Sequence, residues 1–223
     1  SDGICVALCS DSDADLDDVC AAADNCPDTS NLSQLDTDGD GLGDLCDPNP
    51  EHHEDDVDFL LEMMGGCDLE GLFANLGTQL WQTYRLTELE LIAYDLPGCN
   101  IPDSLGQVSQ LRELILPDNG LWGPIPETIT FLMHLELVDL SNNMLTGPIP
   151  VSWDTLANVK TLDFKNNSLS GPIPESLGNL TGLEFILVQN NLLTGAIPNA
   201  LGNLTLLSKI DLSHNQLEEA IPT

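Results

Sequence analysis

A fixed period of 24 residues runs through the C-terminal part of this chain. An asparagine, a leucine two positions later and an Ile-Pro pair beyond that leucine all recur at this spacing. The recurring residues are Asn119, Asn143, Asn167, Asn191 and Asn215; Leu121, Leu145, Leu169, Leu193 and Leu217; and Ile125, Ile149, Ile173, Ile197 and Ile221, each followed by proline. Upstream, residues 86–102 keep the same phase after a one-residue insertion, which gives about six repeats. Such a period indicates an array of units that stack on their neighbours, rather than a domain built around one central core.

Each unit follows the pattern L-x-x-L-x-L-x-x-N-x-L-T-G-x-I-P-x-x-L-G-N-L-x-x, which is nearly intact over residues 183–206. The L-x-L part predicts a short strand whose alternate residues point inward, with strands of successive units stacked in parallel about 4.8 Å apart. The asparagine after the strand is expected to bond backbone groups of its own coil and of adjacent coils. Gly-x-Ile-Pro predicts a second extended segment, with proline placed where no ladder donor is needed.

The pattern resembles the leucine-rich repeat family, in the 24-residue class typical of plant receptor ectodomains and polygalacturonase-inhibitor-like proteins. The resemblance covers about residues 86 to 223. It implies an α/β solenoid with a parallel β-sheet on the concave face and mostly loops and 3-10 turns on the convex face. The strand positions that point away from the core are then the place to look for a binding surface.

Two columns of residues occupy those outward strand positions. The first reads Glu113, Leu137, Thr161, Phe185 and Lys209, and the second reads Ile115, Asp139, Asp163, Leu187 and Asp211. An aromatic residue and a leucine on one strand of an otherwise polar face indicate a contact surface. We therefore take Phe185 and Leu187, with Leu137 and Ile115, as the candidate binding surface; scattered surface hydrophobics are the alternative. The aspartates of the second column serve either solubility or cation binding.

The N-terminal part has a different composition. The chain carries 37 Asp and Glu against 5 Lys and Arg, and its first basic residue is Arg85. Such a polyanion is a poor partner for nucleic acid and a good one for a metal cation. Residues 1–50 hold too little apolar surface to offset their ordering entropy, so something other than a core must hold them. Residues 57–64 predict an amphipathic helix that ends at Gly65-Gly66.

An aspartate-rich run at residues 36–47 has the spacing of a calcium loop. Carboxylates occupy positions 1, 3, 5, 9 and 12, with glycines that permit the tight turn. The predicted Ca²⁺ ligands are Asp36, Asp38, Asp40, Leu42, Asp44 and Asp47. Residues 11–20 look like a degenerate earlier copy, with Asp11, Asp13, Asp15 and Asp18 as ligands of a second Ca²⁺.

The stretch from residue 24 to residue 47 resembles the thrombospondin type 3 repeat. The match rests on Asp24-Asn25-Cys26-Pro27, on Asn31 and Gln34, and on the aspartate run that follows. The resemblance implies that Asp24 and Asn25 also serve the ion and that Cys26 and Cys46 form a disulfide. Asn31 also begins an N-x-[ST] sequon, so the region around it has two alternative roles, calcium binding and glycosylation. The resemblance favours calcium binding.

Seven cysteines and four sequons, at Asn31, Asn166, Asn179 and Asn203, favour an extracellular protein, secreted or at the cell surface. The odd cysteine count leaves at least one thiol free or paired outside this sequence. The partners of five cysteines stay open: Cys5, Cys9, Cys20, Cys67 and Cys99. No apolar run reaches the roughly 18 residues of a membrane span, and the first residues lack the features of a signal peptide, so the chain reads as processed or excised.

We predict three parts: a calcium-binding, disulfide-bonded module over residues 1–50, a linker and helical cap over residues 51–85, and the solenoid over residues 86–223 without a C-terminal cap. The four histidines are scattered and none adjoins a plausible nucleophile, so no catalytic residue and no enzyme activity are predicted. The predicted function is protein–protein interaction, cell adhesion or self-assembly, including a head-to-tail filament through the uncovered last coil. The alternatives are a ligand-sensing receptor ectodomain or a polygalacturonase-inhibitor-like enzyme inhibitor, and a fragment whose continuation supplies further coils.

Overall fold

The computed structural model of the chain describes residues 53–65, 78–82, 85–94, 96 and 98–218. The predicted calcium ligands, the Cys26–Cys46 pair and the Asn31 sequon lie outside the described residues. Within the described ranges, a helix, α1 (Glu54–Gly65), precedes the strands. The strands in chain order are β1 (Thr78–Gln82), β2 (Arg85–Glu90), β3 (Glu113–Ile115), β4 (Trp122–Pro124), β5 (Leu137–Asp139), β6 (Met144–Gly147), β7 (Thr161–Asp163), β8 (Ser168–Pro172), β9 (Phe185–Leu187), β10 (Leu192–Ala196), β11 (Lys209–Asp211) and β12 (Gln216–Glu218).

The L-x-L segments form one sheet together with β1, in the order β1-β2-β3-β5-β7-β9-β11. From β2 onward every pair is parallel, and each coil of the chain adds one strand. The middle residues of successive strands, such as Leu114, Val138 and Leu162, pair in register and are buried. The parallel solenoid predicted from the 24-residue period is therefore confirmed.

A second parallel sheet runs alongside, in the order β4-β6-β8-β10-β12. Its strands start earlier than Gly-x-Ile-Pro predicts and end before the Ile-Pro pair. The reason is that proline provides no N–H for a ladder, and in four coils it instead precedes a 3-10 helix as its N-cap. The 3-10 helices span Asp103–Gln107, Glu127–Phe131, Trp153–Thr155, Glu175–Asn179 and Asn199–Asn203. We refer to the side that carries them as the back.

The core is a continuous column of Leu, Ile and Val, with one local exchange of volume. Trp153 is fully buried at the position where the other coils place Leu105, Ile129, Leu177 and Leu201. Its ring lies 6.1 Å from that of Phe164, centroid to centroid, in a tilted arrangement. Two aromatic rings thus fill, within one coil, space that aliphatic side chains fill elsewhere.

Helix α1 closes the N-terminal end of this column. Phe59, Leu60 and Met63 are buried in the same cluster as the first coil. The helix also contributes Asp56, whose carboxylate accepts hydrogen bonds from Arg85 Nε (2.9 Å), Arg85 Nη2 (2.8 Å) and the backbone N–H of Leu86 (2.7 Å). Asp56 is fully buried, so this ion pair fixes α1 against the start of β2. Strand β1 pairs antiparallel with β2 and extends the sheet beyond the repeats.

An asparagine ladder follows the strands, as predicted. Asn143 Oδ1 accepts the backbone N–H groups of Asn119 (3.1 Å) and Leu121 (3.0 Å) in the preceding coil. Its Nδ2 donates to the carbonyls of Leu116 (2.8 Å) and Leu140 (3.1 Å), one in each coil. One side chain therefore satisfies backbone groups of two coils, and Asn119, Asn167, Asn191 and Asn215 take part in the same way.

The described part of the chain contains no helix long and apolar enough to cross a lipid bilayer.

Candidate ligand-binding surface

The two predicted columns stand in register on the seven-stranded sheet, and β2 extends both. Glu88 precedes Glu113, Leu137, Thr161, Phe185 and Lys209 in one column, and Glu90 precedes Ile115, Asp139, Asp163, Leu187 and Asp211 in the other. We call this surface the strand face. Register of this kind is set by the buried alternate residues, because a one-residue slip would move them to the solvent side.

The apolar residues of the strand face form two pairs. Ile115 and Leu137 lie on the neighbouring strands β3 and β5, and Phe185 and Leu187 lie together on β9. All four are half-buried. Strand β7 separates the pairs with Thr161 and Asp163, so the structure places the four predicted residues on one face but not in one continuous patch.

The first coils give the strand face an acidic end. Glu88, Glu90 and Glu113 carry no side-chain hydrogen bond or ion pair to any other described residue. Partial burial raises the pKa of Glu113, and the charges of Glu88, Glu136 and Glu90 raise it further. The charge of Lys160 opposes this shift but does not cancel it, so the carboxylates of the acidic end repel one another.

Removing the charge of Glu113 is expected to stabilise the fold slightly. With its pKa raised above the usual 4.5, the folded chain binds this proton more tightly than the unfolded chain, so the ionised form costs stability at neutral pH. Discounted for solvent screening, Glu113→Gln should raise the free energy of unfolding at pH 7 by up to about 0.5 kcal/mol. The gain should shrink as the pH falls through the raised pKa and vanish below 4.5. Urea denaturation between pH 3 and 8 measures it, with the exposed Glu175→Gln as control; a gain that grows toward low pH would contradict the account.

A ladder of opposite charges runs beside the strand face, on the residues that precede β3, β5, β7 and β9: Arg112, Glu136, Lys160 and Glu184. Glu136 accepts hydrogen bonds from Arg112 Nη1 (3.2 Å) and Lys160 Nζ (2.6 Å) in the coils on either side. The hydrogen bond from Lys160 is the main reason that the pKa of Glu136 is lowered, and the same bond raises the pKa of Lys160. Sequence reasoning missed this ladder because its residues lie just outside L-x-L. Because Arg112, Glu136 and Lys160 are spaced 24 residues apart, the alternation of positive and negative charge could have been found in the sequence.

The aspartates of the second column have a structural role. Oδ1 of Asp139 accepts the backbone N–H of Ser141 (2.9 Å), and Asp211 does the same for Ser213 (3.1 Å). Asp163 accepts the N–H of Lys165 (3.2 Å) and contacts the Lys165 ammonium, while burial raises its pKa. Each aspartate therefore fixes the turn after its strand. No group of three His, Cys, Asp or Glu in the described ranges is placed to hold a metal ion.

The remaining predicted residues that the structure describes are the three later sequons and Cys99. Asn179 and Asn203 are exposed at the ends of 3-10 helices on the back. Asn166 is also exposed, but its amide lies in a second ladder: Nδ2 donates to Asn142 Oδ1 (2.5 Å) and Oδ1 accepts from Asn190 Nδ2 (2.7 Å). Cys99 is buried and disulfide-bonded.

Comparison with known proteins gives the class of protein that the 24-residue repeat predicts. The family model described as Leucine Rich Repeat matches residues 134–156, 158–180 and 182–204. The fold is similar to the leucine-rich repeat ectodomain of the receptor kinase GASSHO1/SCHENGEN3 from Arabidopsis thaliana, at 32% identity and a TM-score of 0.67 over 75% of this chain. That structure was solved in complex with CASPARIAN STRIP INTEGRITY FACTOR 2, and the chain spans only 21% of its length.

Two shorter ectodomains from Arabidopsis thaliana are covered almost entirely. BIR2 shares 32% identity and a TM-score of 0.61, over 74% of this chain and 94% of BIR2. SOBIR1 shares 26% identity and a TM-score of 0.65, over 76% of this chain and 98% of SOBIR1. No curated protein sequence matches the chain significantly. The chain belongs to the leucine-rich repeat family.

Proposed function

We propose that the chain is an extracellular, non-catalytic ligand-binding unit of the receptor-ectodomain kind, and that its strand face binds a protein or peptide. The observation that carries the proposal is the strand face itself. Half-buried apolar side chains stand there in register between an acidic end and a ladder of opposite charges. A protein ligand suits this arrangement because apolar anchors supply contact energy while surrounding charges select the partner.

The solved structures support the receptor-ectodomain alternative more than adhesion or filament formation. GASSHO1/SCHENGEN3 and SOBIR1 are ectodomains of receptor kinases, and BIR2 was also solved as an ectodomain. The first was crystallised in complex with CASPARIAN STRIP INTEGRITY FACTOR 2. Leucine-rich solenoids present extended surfaces to such ligands. An enzyme-inhibitor role uses the same kind of surface against a different partner, and the acidic end of the strand face then selects a basic patch on the enzyme.

Phe185 should be the strongest single contact of the strand face. A suitable probe is the best binder from a phage-displayed library of random peptides selected on this protein, with its Kd measured by calorimetry. Phe185→Ala is expected to weaken binding about 10- to 30-fold, because buried aromatic side chains dominate interface energetics. Met133→Ala is the matched control, since Met133 is 62% exposed on the back. Equal loss in both variants, or loss only in Met133→Ala, would place the binding surface elsewhere.

We also propose that Ca²⁺ holds the N-terminal segment, through the aspartates of residues 36–47. These carboxylates have no basic residue near them in sequence, so without the ion they repel one another. A chelator should speed proteolytic cleavage within residues 1–50 at least about ten-fold and leave the solenoid, which has its own core, intact. In calcium, Asp40→Asn should behave as the wild type does in chelator, whereas Asp2→Asn should not. Cleavage rates that ignore the chelator would reject this proposal.

The glycans stay a prediction. Asn179 and Asn203 offer exposed amides on the back, and glycans there leave the strand face open.

A further inference from the structure

Both arginines of the sequence line a single pocket. The sequence contains Arg85 and Arg112 and no other arginine. The pocket has a volume of about 430 Å³ and is lined by Gln82, Arg85, Thr87, Gln110 and Arg112. It lies at the N-terminal rim of the strand face, where β1 ends and the charge ladder begins. None of these five lining residues carries a carboxylate, although Asp and Glu outnumber Lys and Arg 37 to 5 in the chain. We call it the arginine pocket.

Arg85 is held in place before any ligand arrives. Its Nε and Nη2 bond the buried carboxylate of Asp56, and Nη2 also donates to the carbonyl of Gln107 (3.1 Å). Its side chain is 17% exposed. Nη1 has no hydrogen-bond partner among the described residues, so the N–H groups of this one nitrogen on a fixed guanidinium are left for a ligand. A donor that is already positioned loses little entropy on binding.

Arg112 supplies the second, more mobile donor. Its side chain is 48% exposed, and only Nη1 is engaged, with Glu136 at 3.2 Å. Nε and Nη2 make no hydrogen bond within the described part of the chain. A planar guanidinium with two free N–H groups on one edge matches the two oxygens of a carboxylate.

The charges around the pocket favour a monoanion. Asp56 neutralises Arg85, and Glu136 is shared between Arg112 and Lys160. Glu113 and Glu184 also act on Lys160, so the pocket has little positive charge to spare. A singly charged carboxylate therefore adds less uncompensated negative charge to this strongly acidic protein than a doubly charged phosphate does.

We propose that the arginine pocket binds a carboxylate group, with Arg112 closing on a group that Arg85 positions. The carboxylate belongs to the protein or peptide ligand of the strand face, and this assignment of its source rests on the proposed function. The claim that the pocket binds a free carboxylate is independent of the proposed function. The acidic end of the strand face repels a carboxylate elsewhere at the first coils. The pocket therefore selects ligands that place an acidic side chain or a free C-terminus at the arginines themselves.

The chain offers a direct readout, because two arginines give two guanidinium Nε–Hε signals in ¹⁵N NMR. The probe is acetate, titrated at constant ionic strength with chloride as the replaced ion. We expect saturable shifts of the Arg112 signal with a Kd of about 1–10 mM, the strength of a single solvent-accessible site. N-acetylalanine and the α-amide of N-acetylglutamate then distinguish a C-terminal carboxylate from a side-chain carboxylate by which of them binds more tightly.

Two variants of equal net charge test the assignment. Arg112→Gln should weaken acetate binding, followed on the Arg85 signal, at least about ten-fold, because a bidentate donor is lost. Lys209→Gln removes a positive charge at the far end of the same face and should change the Kd less than two-fold. Shifts that do not saturate, equal effects of the two variants, or inorganic phosphate binding more tightly than acetate would overturn the proposal. If acetate binds but the strand face binds no peptide, the pocket is still a carboxylate site. The claim that the carboxylate comes from a peptide ligand of the strand face is then wrong.

Discussion

Asp56→Asn is expected to lower the free energy of unfolding by about 3–5 kcal/mol, the usual cost of removing one partner from a buried ion pair. The wild-type carboxylate accepts three hydrogen bonds, two from the Arg85 guanidinium and one from the N–H of Leu86. The amide keeps the shape but lacks the charge and one acceptor, so the guanidinium stays largely buried without a counter-ion. Helix α1 then loses its link to β2, and the apolar end of the first coil opens to water.

Asp58→Asn is the matched control for this substitution. Asp58 lies in the same turn of the same helix but is exposed, so its loss should cost no more than about 0.5 kcal/mol. Urea denaturation followed by circular dichroism measures both. Equal stability of the Asp56 and Asp58 variants would show that the ion pair does not hold α1 on the solenoid.

Asn143→Ala should cost about 3 kcal/mol or more. The side chain is 8% exposed and bonds two N–H groups of the preceding coil and carbonyls of both coils. Alanine leaves these groups without partners in a region with little access to water, and each unsatisfied buried group costs about 1–3 kcal/mol. Since neighbouring coils depend on one another, the loss should spread along the array rather than stay in one coil.

Asn158→Ala is the same change on the surface. Asn158 is exposed and makes a single hydrogen bond, from Nδ2 to the carbonyl of Met133 (2.9 Å), so its removal should cost about 0.5 kcal/mol. Hydrogen exchange of the Asn119 and Leu121 amides, which bond Asn143 directly, reports the defect site by site. Unchanged exchange at both amides in Asn143→Ala would contradict the ladder.

The period in the sequence predicted the parts of the fold that repeat. Leu114, Val138 and Leu162 are fixed by their spacing alone, because every coil repeats the same local contacts. The two outward columns and the asparagine ladder follow from the same spacing. The candidate apolar residues were therefore found on the correct face, although the gap at Thr161 and Asp163 between the two pairs required the register of β7.

The contacts that do not repeat were not predictable in this way. Asp56 and Arg85 are 29 residues apart and belong to no motif, so nothing local signals their bond. The pairing of β1 with β2 depends likewise on the end of the array, where the pattern is interrupted. Trp153 and Phe164 compensate one another's volume within one coil, which requires knowledge of side-chain packing. The aspartates of the second column were read as solubility or cation residues because an isolated aspartate does not reveal which backbone N–H it faces.

Methyl NMR of the protein with the selected peptide tests most directly the claim that the strand face binds the ligand. Ile115, Leu137 and Leu187 report from the strand face, and Met133 and Val151, which are 62% and 61% exposed, report from the back. We expect saturable shifts of the three strand-face methyl groups, with the signals of Met133 and Val151 unchanged. Shifts confined to Met133 and Val151, with none on the strand face, would contradict the account.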